Sequence, residues 1–410
     1  MTDGSRQLRT STDRILTTHV GSLVKPRPIR EALAAQQAGK SYDEDSFRRQ
    51  LADAVTGVVR DQVDAGVDVP SDGEFGKAHW VWYVTDRLGG VEPAGLGEAD
   101  LSWWMRTNDR VDFAEFYAAY EPVQRYDWSG DPAAPLTRLP APIQFAKFTG
   151  PVSYQGSAAV QRDIGNFAAA LADAGAAEGF MPTASPMAVE LGQHNPAYKT
   201  DEEFVYALAD ALAEEYRAIT GAGLLLQVDD AVLPQWVGAA TVSHLDRAEI
   251  SRFAELRIEA LNHALRGIPE DRIRFHICWG SWNGPHTSDA PLQDVIEYVL
   301  KVNAGAYLIE SSNPRHQHEW QIWEDIRLPD GKVLVPGVIN HQTNVVEHPE
   351  LVAWRIQNLA RLVGRENLIA GSDCGFCQGW HEVRVHPSIQ WAKLRSLAEG
   401  ARLASKQLWG

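Results

Sequence analysis

Cysteine is scarce in this chain: three residues among 410, at Cys278, Cys374 and Cys377. So few exclude a disulfide framework and suit a reducing compartment. Basic residues are outnumbered, with 38 Lys and Arg against 54 Asp and Glu and a formal net charge of −16. That balance argues against nucleic acid or an anionic membrane as the main partner. No hydrophobic run approaches the length of a membrane-spanning helix, and residues 1–13 lack the apolar stretch of a signal peptide. A cytoplasmic location is the expectation. Internal repeats and low-complexity tracts are missing, and no glycine-rich phosphate-binding fingerprint follows the first strand-like run.

What is present is a rhythm. Hydrophobic residues make up 44% of the chain, ample for a large core. Short apolar runs alternate with stretches of helical periodicity such as 45–65, 201–220 and 349–363. Eight strand–helix units can be counted, their strands ending near Val20, Ser71, Phe148, Val228, His276, Glu310, Ile339 and Ser372. Apolar strands alternating with helices imply a parallel sheet. Eight units predict a TIM (β/α)8 barrel, with a doubly wound open sheet as the alternative. The apolar piece at 179–185 is read as part of a loop. Residues 1–13 are expected to be a disordered lead-in and 14–410 a single domain. The rhythm breaks between about 76 and 142, a stretch rich in Gly and Pro that carries Trp80, Trp82, Trp103, Trp104 and Trp128. It is expected to be a long irregular insertion after strand 2. Its tryptophans could line a pocket or a subunit contact, or form a local mini-core.

The strand Arg272-Ile-Arg-Phe-His276-Ile-Cys278 ends in His-x-Cys. Residues i and i+2 of a strand face the same side, so His276 and Cys278 can address one point. Glu310 closes the strand-like run 306–310, and Cys374 closes 368–374. One imidazole, two thiolates and one carboxylate form a tetrahedral zinc set. A core histidine beside a core cysteine is the metal-free alternative. Other polar residues at strand ends are Ser22, Asp72, Glu74, Asp229, Asp230, His341 and Asp373. In a barrel, such ends carry the active site. Cys374 and Cys377 have Cys-x-x-Cys spacing, which could make a redox pair or an alternative ligand; Cys374 is favoured as ligand and Cys377 as its buried neighbour. His316, His318, Trp320 and Trp323 could wall a substrate pocket or pack a helix on the barrel.

At these residues the chain resembles the C-terminal catalytic barrel of cobalamin-independent methionine synthase, in its single-barrel form. The resemblance runs from about residue 15 onward. It rests on His276-x-Cys278, Leu-Ile-Glu310-Ser, Ser-Asp-Cys374-Gly-Phe, Val20-Gly21-Ser22, Asp72-Gly-Glu74-Phe, Gln227-Val-Asp229-Asp230 and Pro336-Gly-Val-Ile-Asn-His341. It implies zinc held by His276, Cys278, Glu310 and Cys374. It implies that the backbone at Gly21 and Ser22 holds an amino-acid substrate, that Glu74 and Asp229 bind the homocysteine ammonium, and that His341 is the catalytic proton donor. Zinc would deprotonate a thiol whose free pKa is near ~8.5, and the thiolate would attack a methyl group. Glu310 could yield its place to the incoming sulfur. The chain departs from the pattern at Asp230-Ala231, where the family has Glu-Pro. It departs again after Thr149-Gly-Pro-Val152, where Ser157 stands at about the place of a folate-stacking Trp.

The partners implied are a small-molecule thiol and an alkyl donor, and a homo-oligomer is left open. The same architecture resembles epoxyalkane:coenzyme M transferase, which would add a thiol to an epoxide. Coenzyme M would need cations for its sulfonate, with Lys77 and Arg315 as candidates. A third reading is a metal-free decarboxylase-like barrel or a zinc-stabilised binding protein.

Overall fold

The computed structural model describes residues 8–94, 108–120, 145–380 and 384–410. Their architecture is α/β. Nine strands are present among the described residues: β1 (Leu16–Thr17), β2 (Leu88–Ala94), β3 (Phe145–Tyr154), β4 (Phe180–Ala184), β5 (Leu225–Asp229), β6 (Ile273–Ile277), β7 (Ala306–Ile309), β8 (Val333–Ile339) and β9 (Ile369–Ser372). Seven form one parallel sheet in the order β1-β9-β8-β7-β6-β5-β4. Its two edges meet the same short segment: Thr18 bridges to Val69, and Ser71 bridges to Phe180. The sheet therefore curls until both edges reach residues 69–71. Strands β4 to β8 are buried at every position, as expected of a parallel sheet covered on both faces.

The helices sit where periodicity puts them. One spans Glu44–Asp64, with Asp43 accepting from the Ser46 N–H. Arg247–Ala264 opens with a reciprocal capping box between Asp246 and Glu249. Pro349–Val363 begins with a proline at its first position, where the missing N–H has no intrahelical partner to lose. No described helix is long and apolar enough to cross a membrane.

One strand assignment is corrected. The run ending at Phe148 does not enter the main sheet; β3 pairs antiparallel with β2 in a separate two-stranded ribbon. Its place is taken by β4, within the piece read as a loop. The reason is local. Lys147 is exposed beside buried Phe148, the alternation of a ribbon with one wet face. Pro182 argues against a strand, yet it pairs only with β5 in the main-sheet ladder, and its missing N–H is tolerated at an edge. Residues 1–7 of the expected lead-in lie outside the described residues. Ser11 is buried, and its hydroxyl donates to the Leu368 carbonyl at 2.6 Å.

The end of β1 is fixed by a histidine that the sequence did not single out. His19 is fully buried. Its Nδ1 accepts from the Gly21 N–H at 3.1 Å, so Nε2 carries the proton and faces Gln62 Oε1 at 2.6 Å. Gln62 in turn donates to the Ser71 carbonyl at 2.8 Å and accepts from the Ser71 N–H at 2.9 Å. Gly21 itself has φ +131°, and a Cβ there would collide with the Pro182 ring.

Burial pushes His19 down to about 4. Between that value and the ordinary ~6.5, the unfolded chain binds a proton that the folded chain does not. Stability is therefore expected to fall as pH drops from about 6.5 to about 4, by roughly 3 kcal/mol in total. Urea midpoints measured across this window should show the slope. His19→Gln should flatten it while lowering stability near pH 7 by about 1–3 kcal/mol.

Candidate active site

Each candidate residue stands at or just past a strand's C-terminal end. Asp229 is the last residue of β5, His276 lies one residue before the end of β6, and Cys278 follows it. Glu310 follows β7, His341 lies two residues past β8 and Cys374 two past β9. Glu74 lies three residues beyond Ser71 and adopts a left-handed φ of 57°.

The structure brings His276, Cys278 and Cys374 together, with potential ligand atoms all within 4.8 Å of one another. The two sulfurs are 3.5 Å apart, and all three cysteines of the chain are free. Neither nitrogen of buried His276 has a hydrogen-bond partner. Buried polar groups are nearly always satisfied, so an orphaned imidazole beside two thiols is a site built to receive something. Soft sulfur with imidazole suits zinc. Glu310 is not within that triad. Its carboxylate lies within 4.8 Å of groups on His341 and Asp373, and accepts from the Trp279 N–H at 3.2 Å and from Asn313 Nδ2 at 2.9 Å.

The electrostatics are those of crowded, buried groups. Cys374 is drawn well below the ordinary thiol range, first by the hydrogen bond from Cys278 and then by His276 and His341; Cys278, which donates that bond, is pushed up. Burial alone would lower His276, but Cys374, Asp229 and Glu310 outweigh it and raise it. Burial pushes Asp229 up to about 8; Glu74 and Cys374 reinforce this, while His276 and the 2.8 Å bond from Gln227 oppose it. Burial lowers His341 to about 4, and both its nitrogens are unpartnered.

The ammonium-binding candidates differ. Glu74 Oε1 already holds Lys77 Nζ at 3.2 Å, both side chains being buried. Lys77 also donates to the Pro182 carbonyl and lies 4.4 Å above the Tyr83 ring. Asp230 is a structural residue: it accepts from the Val232 and Leu233 N–H groups at the start of helix Val232–Val242, and from Ser185 Oγ at 2.7 Å. Ser22 is buried, and its carbonyl accepts from the Phe376 N–H at 2.8 Å, joining the Gly21–Ser22 turn to the Cys374 loop.

No protein-family model matches the chain. A methionine synthase of Saccharolobus islandicus is 24% identical over 396 residues, covering 96% of this chain and 95% of that protein. An uncharacterized protein of Bacillus subtilis is 25% identical over 396 residues, covering 93% and 92%. Among solved structures, a B12-independent methionine synthase from a Shewanella species in complex with selenomethionine superposes with a TM-score of 0.65 at 19% identity, covering 98% of this chain and 99% of that one. A putative vitamin-B12-independent methionine synthase from Listeria monocytogenes gives 0.63 at 19%, covering 97% and 99%. The chain is thus similar in sequence to proteins named methionine synthase, and in fold to two solved proteins described as B12-independent methionine synthases. These likenesses span nearly its full length.

Several residues around the site were not singled out by the sequence. Asp289 bridges two histidines, meeting His286 Nδ1 at 2.8 Å and His316 Nε2 at 2.9 Å; His316 also meets Glu319. His316 stacks on Trp279 with centroids 3.9 Å apart, whereas His318 is exposed. Asn313 and Gln342 complete the surround of Glu310. Only the spacing His286-x-x-Asp289 hinted at this network. Within 108–120, Asp109 accepts from the Thr287 N–H at 2.8 Å and Tyr117 from Trp282 Nε1 at 3.2 Å, so this stretch is latched to the loop after β6. Trp80 packs against the buried cluster that contains Cys278 and Cys374, and Trp82 joins the main core. Trp103, Trp104 and Trp128 lie outside the described residues. Cys377 belongs to neither metal-capable group; its sulfur faces the Gly379 carbonyl at 3.1 Å.

Lys77→Met should strand Glu74 as a buried carboxylate without its ammonium. A loss of about 3–5 kcal/mol is expected. Chemical denaturation of Lys77→Met, with Lys77→Met/Glu74→Gln beside it, checks this: the double variant should recover much of the loss.

Proposed function

We propose that this chain is a zinc-dependent methyltransferase acting on a small thiol, with homocysteine as the acceptor. The observation that carries the reading is the buried triad of His276, Cys278 and Cys374, whose imidazole has no other partner. The names of the methionine synthase relatives support the acceptor and the reaction. The curled sheet is read as a TIM barrel, with residues 67–71 as its eighth strand and the stretch after them as an insertion.

His276, Cys278 and Cys374 would hold zinc, with Glu310 as the fourth donor. When bound, zinc supplies a Lewis acid that lowers the pKa of the substrate thiol and keeps its sulfur nucleophilic. The residues do the rest. Asp229, with Glu74 beside Lys77, receives the substrate ammonium, and an arriving cation would draw Asp229 back toward its ionised form. The Gly21–Ser22 turn presents backbone groups to the substrate carboxylate. Burial of the whole set excludes water. The thiol gives up its proton to His341, its sulfur forms a bond to the methyl carbon, and the bond from that carbon to the donor breaks. His341, held neutral by burial and with both nitrogens unpartnered, then delivers that proton to the departing group.

The coenzyme M reading is less well supported. Lys77 is engaged by Glu74, and Arg315 is exposed and donates to the His286 carbonyl at 3.0 Å. Neither offers a buried, unengaged cation to a sulfonate.

Metal analysis is expected to find one zinc per chain. X-ray absorption at the zinc edge should show an added sulfur neighbour with homocysteine and none with coenzyme M. Cys278→Ser and Cys374→Ser should each weaken zinc binding by at least about 100-fold. His341→Ala should keep the zinc and lose about 10²–10⁴ in kcat. Asp229→Asn should raise KM for homocysteine about tenfold or more with zinc retained. Protein that takes up no zinc on reconstitution would refute the proposal.

A further inference from the structure

The second metal-capable group, Glu310 with His341 and Asp373, is of a different kind from the first. Asp373 is fully buried, and its carboxylate is already engaged. Oδ1 accepts from the Ser311 and Ser312 N–H groups, each at 2.8 Å. Oδ2 accepts from Ser312 Oγ at 2.5 Å and, more weakly, from Asn340 Nδ2 at 3.4 Å. Four donors fill about the whole acceptor capacity of a carboxylate. Asp373 is therefore not available as a ligand.

Its position gives those bonds a purpose. Asp373 immediately precedes Cys374, and Ser311 immediately follows Glu310. The two segments come from β9 and β7, which are not neighbours; β8 lies between them. Through its hydrogen bonds to Ser311 and Ser312, Asp373 therefore joins two segments across an intervening strand. β8 makes way for it. Gly337 faces the carboxylate, and a Cβ at that position would collide with both the Oδ1 and the Cα of Asp373. The ladder between β8 and β9 shifts register at this point, between Gly337 and Ile339. The Asp373 N–H also donates to the Ile339 carbonyl at 3.0 Å. Three strand ends thus converge on one carboxylate.

Resting on the zinc reading above, we infer that Asp373 is a positioning residue that fixes Glu310 relative to Cys374. The backbone after Glu310 is clamped at Ser311 and Ser312. Only the Glu310 side chain is then left to move, held by the Trp279 N–H and Asn313. The clamp presents Glu310 to the metal in the resting state and lets it leave when substrate sulfur arrives, without disturbing Cys374.

The test compares Asp373→Ala and the milder Asp373→Asn with the wild type. Zinc affinity is measured by chelator competition, and zinc-edge spectra are taken with and without homocysteine. Asp373→Ala is expected to weaken zinc binding about 10–100-fold, and Asp373→Asn by less. The resting spectrum should change in both variants, while the homocysteine-bound spectrum should match the wild type. A merely structural role would not separate the two states. Unchanged affinity and spectra, with only a lowered melting temperature, would overturn the inference and leave the zinc reading intact. Equal disturbance of both spectra would overturn it too. Should Asp373→Ala fail to fold, Asp373→Asn alone decides. A wild-type protein that takes up no zinc removes the function proposed above and this inference with it.

Discussion

The structure depends on a tolerated violation: an imidazole, two thiols and several carboxylates are buried together with fewer partners than they need. Stranding a polar group away from water costs about 1–3 kcal/mol, and more when it is charged. Here His276 and His341 leave all four of their ring nitrogens unpartnered, and Cys278 and Cys374 find mainly each other. A parallel sheet makes this concentration achievable. Its strands end on one side, so residues from β5, β6, β7, β8 and β9 arrive at one place without any of them being close in sequence. Continuous hydrophobic burial along the strands beneath offsets the cost.

What surrounds the site is over-satisfied by contrast. Gln62 uses its amide three ways to hold His19 and Ser71, and through His19 the Gly21 N–H. Asp373 takes four donors, and Asp289 joins two histidines. The donors at the centre are free because their supports are saturated. Precision of this kind requires neighbouring side chains to be locked by packing and hydrogen bonds. Saturation also separates two groups that look alike as collections of ligand types. One is unengaged and rich in sulfur. The other contains a carboxylate with no capacity left.

The strand ends and the His-x-Cys pair were legible because both are local patterns: a period of two within one strand, and apolar runs that stop at polar residues. The same is true of the helices, since Asp246 with Glu249 announces its own cap. The failures have a common cause in distance. Pro182 spoiled the strand signal at 180–184, and only the edge position in the finished sheet shows why it is tolerated. Phe148 carried a strand signal that was correct for a strand and silent about which sheet. His19 and Gln62 gave no signal, and Asp373 none of its role, because each acts across tens of residues or more. Asp230 looked like Asp229 by type and position, yet it caps a helix while Asp229 faces the site. Those roles are decided by which N–H groups the fold brings near.

Charge supplies the last step. Around the site lie Glu74, Asp229, Glu310 and the acidic thiol of Cys374, with Lys77 as the buried ammonium among them. Burial first, and the neighbouring negative charges after it, drive a proton onto Asp229, which burial, with Glu74 and Cys374, raises to about 8. Two kinds of cation relieve that charge. A divalent ion at the sulfurs stabilises Cys278 and Cys374 as thiolates together, which the two cannot manage 3.5 Å apart on their own. An ammonium beside Glu74 and Asp229 stabilises the second cluster. A thiol that carries its own ammonium answers the second demand, and its sulfur can reach the first. A thiol ending in a sulfonate would add negative charge where it is already in excess. The sign of the buried charge therefore supports the proposed amino-acid thiol over a thiol that ends in a sulfonate.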